Sequence, residues 1–281
     1  MLNIETLHSI MEELAKERPI FHSEADFQHA LAWKIREKMI EKGYRTEVRL
    51  ELSKKIKRRI FNENERKKFL EKYTEFLGEN KNDKKKIDEC MSCYRNLLLK
   101  YAGEFDQYMH IDIWLIIEDA IFAIELKYKH PDKASPEIEV NQESFYLKAH
   151  SAEDQGSYDF TLDIERLEHI VSTNIPGYVN GYCILLTNNW RYWRQPNNRK
   201  KRSQYNEFFP IDESDRGNEK FLNGGEILQW LGKDRLPLEL NYKYECRWRH
   251  YSNIPLPTNP SEYDQFKEFR YLLLKIPGQL A

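Results

Sequence analysis

The stretch His110–Lys129, HIDIWLIIEDAIFAIELKYK, sets two acids and a lysine, Asp112, Glu125 and Lys127, in an otherwise apolar run. Its periodicity is 2, which predicts strands whose alternate side chains point to opposite faces. With Glu118 and Asp119 as a two-residue turn, Ile117 faces Ala120. Counting outwards sets Asp112 across from Glu125 and His110 across from Lys127. Glu125 and Lys127 then share one face of the second strand, while Ile124, Leu126 and Tyr128 share the other.

Facing residues of an antiparallel pair have Cβ atoms about 5 Å apart. Two carboxylates at that separation in an apolar setting repel each other unless a positive charge lies between them. A divalent cation meets that need: Mg²⁺ takes oxygen ligands and is commonly held by one or two carboxylates together with substrate phosphate. An ammonium beside such an ion can orient an attacking water or offset charge on a phosphate. The bland alternative is a hairpin face carrying a salt bridge between Glu125 and Lys127 or across the strands.

Working outward, the chain upstream predicts helices over 3–17 and 23–42. The second has Ser23 as N-cap, Glu24 and Asp26 in the first turn, and Gly43 as the stop. Tyr44–Leu52 (YRTEVRLEL) alternates as a strand. From 53 the composition shifts to KKIKRR, NERKKFLEKY and ENKNDKKK, and 53–100 is read as a charged, exposed helical insertion, with Cys90–Tyr101 resuming a helical pattern. Downstream, Asp163–Ser172 (DIERLEHIVS) reads as a helix capped by Asp163. Gly181–Asn189 (GYCILLTNN) reads as a fully buried central strand. YKYECRWRHY and FRYLLLKI look like two further strands. No repeat or linker divides the chain, so 1–281 reads as one elaborated α/β domain, with 190–281 as a C-terminal extension.

The bulk properties bound the function. The 281 residues are 40% hydrophobic and 32% charged, with a net charge of −2, so any affinity for nucleic acid must come from local clusters. Four cysteines predict a reducing compartment. Cys90-x-x-Cys93 reads as helix packing rather than half of a zinc site, since Cys183 and Cys246 stand far apart. No secretory h-region and no bilayer-length apolar run is visible, so a cytoplasmic protein without membrane contact is expected. Neither phosphate-cradling glycine signature occurs, which argues against an ATPase.

Asp112 followed by Glu125-Leu126-Lys127 resembles the signature of the PD-(D/E)XK nuclease superfamily, an acid on one strand and E-x-K on the next. The order helix, strand, hairpin, helix, strand over about residues 20–190 is similar to that family's core, apart from the insertion. The residue before Asp112 is Ile111, where the family's name has proline. The resemblance implies a restriction-endonuclease-like core, a central mixed β-sheet flanked by helices. It also implies hydrolysis of phosphodiester bonds in nucleic acid, DNA foremost. Mg²⁺ or Mn²⁺ would be held by Asp112 and Glu125, with the Leu126 carbonyl and Glu24 as further ligands, and Lys127 would assist the attack. A homodimer is left open. The rival reading is a nuclease-like module that binds nucleic acid or a protein without cutting it.

Two other segments bear on function. Glu24 and Gln28 share a helix face at i, i+4. NNWRYWRQPNNRKKRSQY offers Arg191, Arg194, Arg199, Lys200, Lys201 and Arg202 for phosphates and Trp190, Tyr192 and Trp193 for stacking. The alternative for these aromatics is a place in the core. Lys148, His150, Asp154, Tyr158, Asp159, Asp163 and Arg166 form a polar stretch that reads more readily as caps and surface pairs than as a cleft lining.

Overall fold

A computed structural model of the chain describes residues 1–60, 103–131, 137–147, 153–172, 179–194, 238–255 and 266–278, plus isolated positions between them. Helix α1 (Ile4–Glu17) begins at Asn3, whose side chain accepts the Thr6 N–H. Helix α2 (Glu24–Glu41) begins at Ser23, whose hydroxyl accepts the Asp26 N–H. It ends at Gly43, which takes a φ of +82° that other residues resist. Gly43 N–H donates to Ile40 O and Tyr44 N–H to Met39 O, using carbonyls the helix leaves open.

Strands β1 (Thr46–Ile60), β2 (Gly103–Ile117) and β3 (Ala120–Lys129) form an antiparallel meander. A small hairpin, β4 (Ile138–Val140) and β5 (Glu143–Phe145), precedes helix α3 (Glu153–Ser172). β6 (Val179–Thr187) then runs parallel to β3. The short strands β7 (Phe221–Leu222), β8 (Ile227–Leu228), β9 (Leu238–Glu239) and β10 (Tyr244–Glu245) form two side pairs, β7 with β10 and β8 with β9. β11 (Trp248–Asn253) and β12 (Glu268–Ile276) return to the main sheet. The result is a mixed six-stranded sheet in the order β1-β2-β3-β6-β12-β11. The two strands expected near the C-terminus are thus members of the central sheet rather than an appendage to it.

The sheet divides two apolar cores. Phe122, Ile124, Leu126 and Tyr128 of β3 and Tyr182, Ile184 and Leu186 of β6 pack with α1 and α2. Ala123, Cys183 and Leu185 pack with Ile164, Leu167 and Ile170 of α3. β6 is buried along nearly its whole length, as expected of a central strand covered on both sides. At Gly181 the sheet and α3 come so close that a Cβ would lie 2.9 Å from both the Ile276 and Val171 side chains.

Three expectations are corrected. The strand expected to end at Leu52 continues to Ile60, so 53–60 is not helical; it pairs residue by residue with β2, which itself begins at Gly103. Closely spaced lysines and arginines hide the apolar alternation that marks a strand, and backbone pairing decides the structure instead. Farther on, Asn64, Lys67, Lys68, Glu71 and Glu75 are helical and exposed, and Cys90–Tyr101 lies outside the described residues. Asp163 is no cap, because α3 begins ten residues earlier at Glu153. Finally, Tyr192 and Trp193 are buried in the core on the α3 side, in and just after a 3₁₀ turn (Trp190–Tyr192), so they offer no stacking face.

Candidate functional site

The turn at Glu118–Asp119 falls where the sequence places it, and Ile117 pairs with Ala120. Glu118 adopts a φ of +54°, held by its N–H to Arg45 O and by its carboxylate accepting the Arg45 N–H. From there the β2–β3 ladder runs as far as Ile113–Ile124 and stops. The expected pairing of Asp112 with Glu125, and of His110 with Lys127, therefore does not form. The opposite ladder, β1–β2, is interrupted at the same level: Leu50 pairs with Ile113 and Leu52 with Ile111, while Glu51 and Asp112 between them do not pair. β2 also changes sidedness here. Ile113, Leu115 and Ile117 face α1 and α2, whereas Met109 and Ile111, of the same parity, face α3.

Glu51 marks the break with a φ of +50°, a conformation costly for a side chain with a Cβ and sustained only by its surroundings. Gln28 of α2 provides them. Its buried amide donates to Glu51 Oε1 at 2.8 Å and to the Asp112 carbonyl at 2.6 Å. Gln28, paired in sequence with Glu24, thus positions the backbone of Asp112.

Where the ladder stops, carboxylates take its place. Asp112 Oδ2 accepts the Leu126 N–H at 2.6 Å, and Glu24 Oε2 accepts the Tyr128 N–H at 2.7 Å. Each uses one oxygen for the backbone. Glu24 Oε1 lies 4.0 Å from Lys127 Nζ, which also donates to Leu126 O at 3.1 Å. Asp112, Glu125, Lys127 and Glu24, predicted from three separate elements, are therefore brought together at one end of the sheet.

Two further members come from the polar stretch that reads in the sequence as caps and surface pairs rather than as a cleft lining. Asp163, in the middle of α3 and only 4% exposed, approaches Lys127 Nζ to 2.6 Å. Arg166, one turn on, donates to Asp163 Oδ1 at 2.9 Å and to His110 O at 3.0 Å, and its Nη2 is 3.9 Å from Glu125 Oε1. Their one sequence signal is the D-x-x-R spacing, which also describes an ordinary helix surface pair.

Burial dominates the electrostatics. It pushes the Asp112 carboxyl up to about 6, against the pull of Lys127 and the Leu126 N–H. Burial, with Asp163 and Asp112 adding repulsion, raises Glu125 well above the usual carboxylate range. Glu125 is 2% exposed, and its Oε1 makes no hydrogen bond. For Lys127, burial opposes the charge, but Asp163, Glu24 and Asp112 outweigh it and hold the ammonium above the ordinary lysine range. Among the described residues, four carboxylates, Glu24, Asp112, Glu125 and Asp163, thus share two cations, Lys127 and Arg166. With all four ionised the cluster would lack two positive charges, a shortfall that is met by the raised Asp112 and Glu125 carboxyls keeping their protons.

A divalent cation here would replace those protons and engage the Glu125 Oε1 that makes no hydrogen bond. Its ligands would be Asp112, Glu125 and the Leu126 carbonyl rather than a closed cage. Among the described residues no three His, Cys, Asp or Glu side chains converge into a ready-made metal site.

Of the basic residues predicted to meet phosphate, Arg191 is committed to Glu153 at the start of α3, at 2.8 Å. Arg194 is exposed just beyond it. Both follow the end of β6 that lies beside Lys129, so they stand at the same end of the sheet as Lys127. Lys200, Lys201 and Arg202 lie outside the described residues. Among the described residues, no helix is long and apolar enough to cross a membrane. No protein-family model, no curated protein and no solved structure matches this chain.

Proposed function

We propose that the chain is a metal-dependent nuclease of the PD-(D/E)XK type that hydrolyses phosphodiester bonds in nucleic acid, DNA foremost. The observation that carries this reading is the gathering of four carboxylates around two cations, with Glu125 Oε1 left without a hydrogen bond, at the point where both ladders of β2 open. A structural ion-pair cluster would be expected to balance without its acids having to keep protons, because an uncompensated buried charge is destabilising by about 3–5 kcal/mol.

Mg²⁺ or Mn²⁺, held by Asp112, Glu125 and the Leu126 carbonyl with Glu24 close by, would supply Lewis-acid activation of the scissile phosphate. The chain's own residues do the rest. Lys127, anchored by Asp163, presents a fixed ammonium to the phosphate and to the water that attacks it. Asp163 and Arg166 keep that ammonium from swinging towards Glu125. Asp112 and Glu24, by accepting the Leu126 and Tyr128 N–H groups, tie the strand that carries Glu125 and Lys127 to β2 and to α2 respectively.

One observation favours the non-cutting module: Asp112 and Glu24 already have backbone partners, which alone would explain acids at a strand opening. A plasmid-cleavage assay with millimolar Mg²⁺ or Mn²⁺ separates the two. Wild type should cut, while Asp112→Ala and Lys127→Ala should not. DNA bound but left intact by wild type would establish the module instead.

A further inference from the structure

Beyond Asp112 and Glu51 the sheet does not end. β1 and β2 continue together as a two-stranded ribbon, Leu52–Ile60 against Gly103–Ile111, past the level where β3 has left the ladder. Nine residues at a strand's rise of about 3.3 Å each give it a reach of roughly 30 Å. Its first strand carries Lys54, Lys55, Lys57, Arg58 and Arg59, and its second carries Glu104 and Asp106, a surplus of three positive charges in a chain whose net charge is −2. Register sets Lys57 opposite Asp106 and Arg59 opposite Glu104, while Lys54, Lys55 and Arg58 stand opposite Met109, Tyr108 and Phe105. Lys55 is exposed, and Tyr108 across from it is 65% exposed, a large ring left in solvent. The ribbon's root is fixed to the site: Arg166, which braces Asp163, also donates to His110 O, and Lys54 Nζ sits 4.3 Å from the centre of the Trp114 ring.

We propose that this ribbon is a DNA-binding arm that seats in the major groove of duplex DNA and delivers the phosphate backbone to the Asp112–Glu125–Lys127 site. A β-ribbon fits the roughly 12 Å width of the B-form major groove, and its cations would meet the flanking phosphates. The deep, narrow major groove of A-form RNA does not admit it. Tyr108 supplies an amphipathic contact to sugar or base edge beside Lys55. The inference rests on the nuclease reading for its purpose, but the arm binds DNA whether or not the site cuts.

The test measures binding alone. A fluorescein-labelled DNA duplex of roughly three helical turns is titrated with the full chain in EDTA, by anisotropy, at several salt concentrations. Wild type should show a steep loss of affinity with salt. The variant K55Q/K57Q/R58Q/R59Q should bind roughly tenfold or more weakly at about 0.1 M salt, with a log–log salt slope shallower by about 2, near one unit for each phosphate no longer met by Lys55 and Arg58, which the register sets opposite no acid. Lys55→Gln and Tyr108→Ser, each a single exposed change, should give smaller losses in the same direction and guard against misfolding of the quadruple variant. Unchanged affinity and slope in these variants overturn the arm, as does a wild type that does not bind the duplex. Equal dependence of an RNA duplex on the same residues overturns the groove seating. Wild type that binds DNA through the ribbon yet never cuts it supports the arm and sinks the nuclease reading instead.

Discussion

The two ends of the β2–β3 hairpin are built from the same strands and hold together differently. At the turn end, from Ile113 to Ile124, backbone pairs with backbone, and Ile113, Leu115, Phe122 and Ile124 are buried in one core. At the open end the ladder has stopped, the Leu126 and Tyr128 N–H groups are satisfied by Asp112 and Glu24, and the space between holds Glu125, Lys127, Asp163 and Arg166. The difference teaches why charge is tolerated in an apolar run. A strand that loses its neighbour exposes N–H groups that must be paired, and carboxylates can pair them with one oxygen while leaving the other for chemistry.

The comparison is broken most completely by removing the lysine. Lys127→Ala should lower the rate of DNA cleavage by about a thousandfold. It also removes one of the two cations, so in EDTA it should cost about 3 kcal/mol in urea denaturation. At the turn end, Leu115→Ala should cost a similar amount, about 3 kcal/mol, through lost burial and a cavity. There the cost should not depend on pH or on divalent ions, which is the contrast the two ends predict.

The pH dependence sharpens it. Asp112 has a folded-state pKa raised to about 6 from an unfolded value near 4, chiefly by burial. The folded state therefore holds its proton more tightly, so this carboxyl favours folding below pH 4 and its contribution is lost as pH rises through 6. In EDTA, stability should fall by roughly 2 kcal/mol over that interval, and Glu125, raised by the same burial, extends the fall to higher pH. Asp112→Asn should flatten the first part of the slope, and Leu115→Ala should leave it intact. The smallest effect belongs to Gln28→Ala, which frees the Asp112 carbonyl and the strained Glu51; about 1 kcal/mol is expected in the same denaturation series.

What local chemistry determines is legible in the sequence. Ser23 and Gly43 bound α2 because a cap and a left-handed residue are single-residue signals, and the Glu118–Asp119 turn sets the register of the hairpin by counting alone. Asp112, Glu125 and Lys127 are readable as a group for the same reason, and Glu24 joins them only through the family resemblance, although counting does not reveal that the ladder stops just before the acids. Asp163 is not readable, because its role is defined by Lys127 on another element, and a helix-interior acid with an arginine one turn later has many ordinary explanations. KKIKRR reads as helical because a ribbon rich in cations carries no apolar alternation. Tyr192 and Trp193 read as a nucleic-acid surface because they stand among arginines, whereas they pack into the core on the α3 side.

The central claim is that the carboxyls gathered at the open end of the hairpin, two of them raised by burial, exchange their protons for a divalent cation. Calorimetric titration of Mn²⁺ into the full chain, alone and with an uncleavable phosphorothioate DNA duplex present, tests it most directly. The account predicts one ion bound per chain, with release of protons from Asp112 and Glu125, and loss of both signals in Asp112→Ala. Binding that survives the substitution, or no binding in either condition, would contradict it and leave the acids as caps on an open strand.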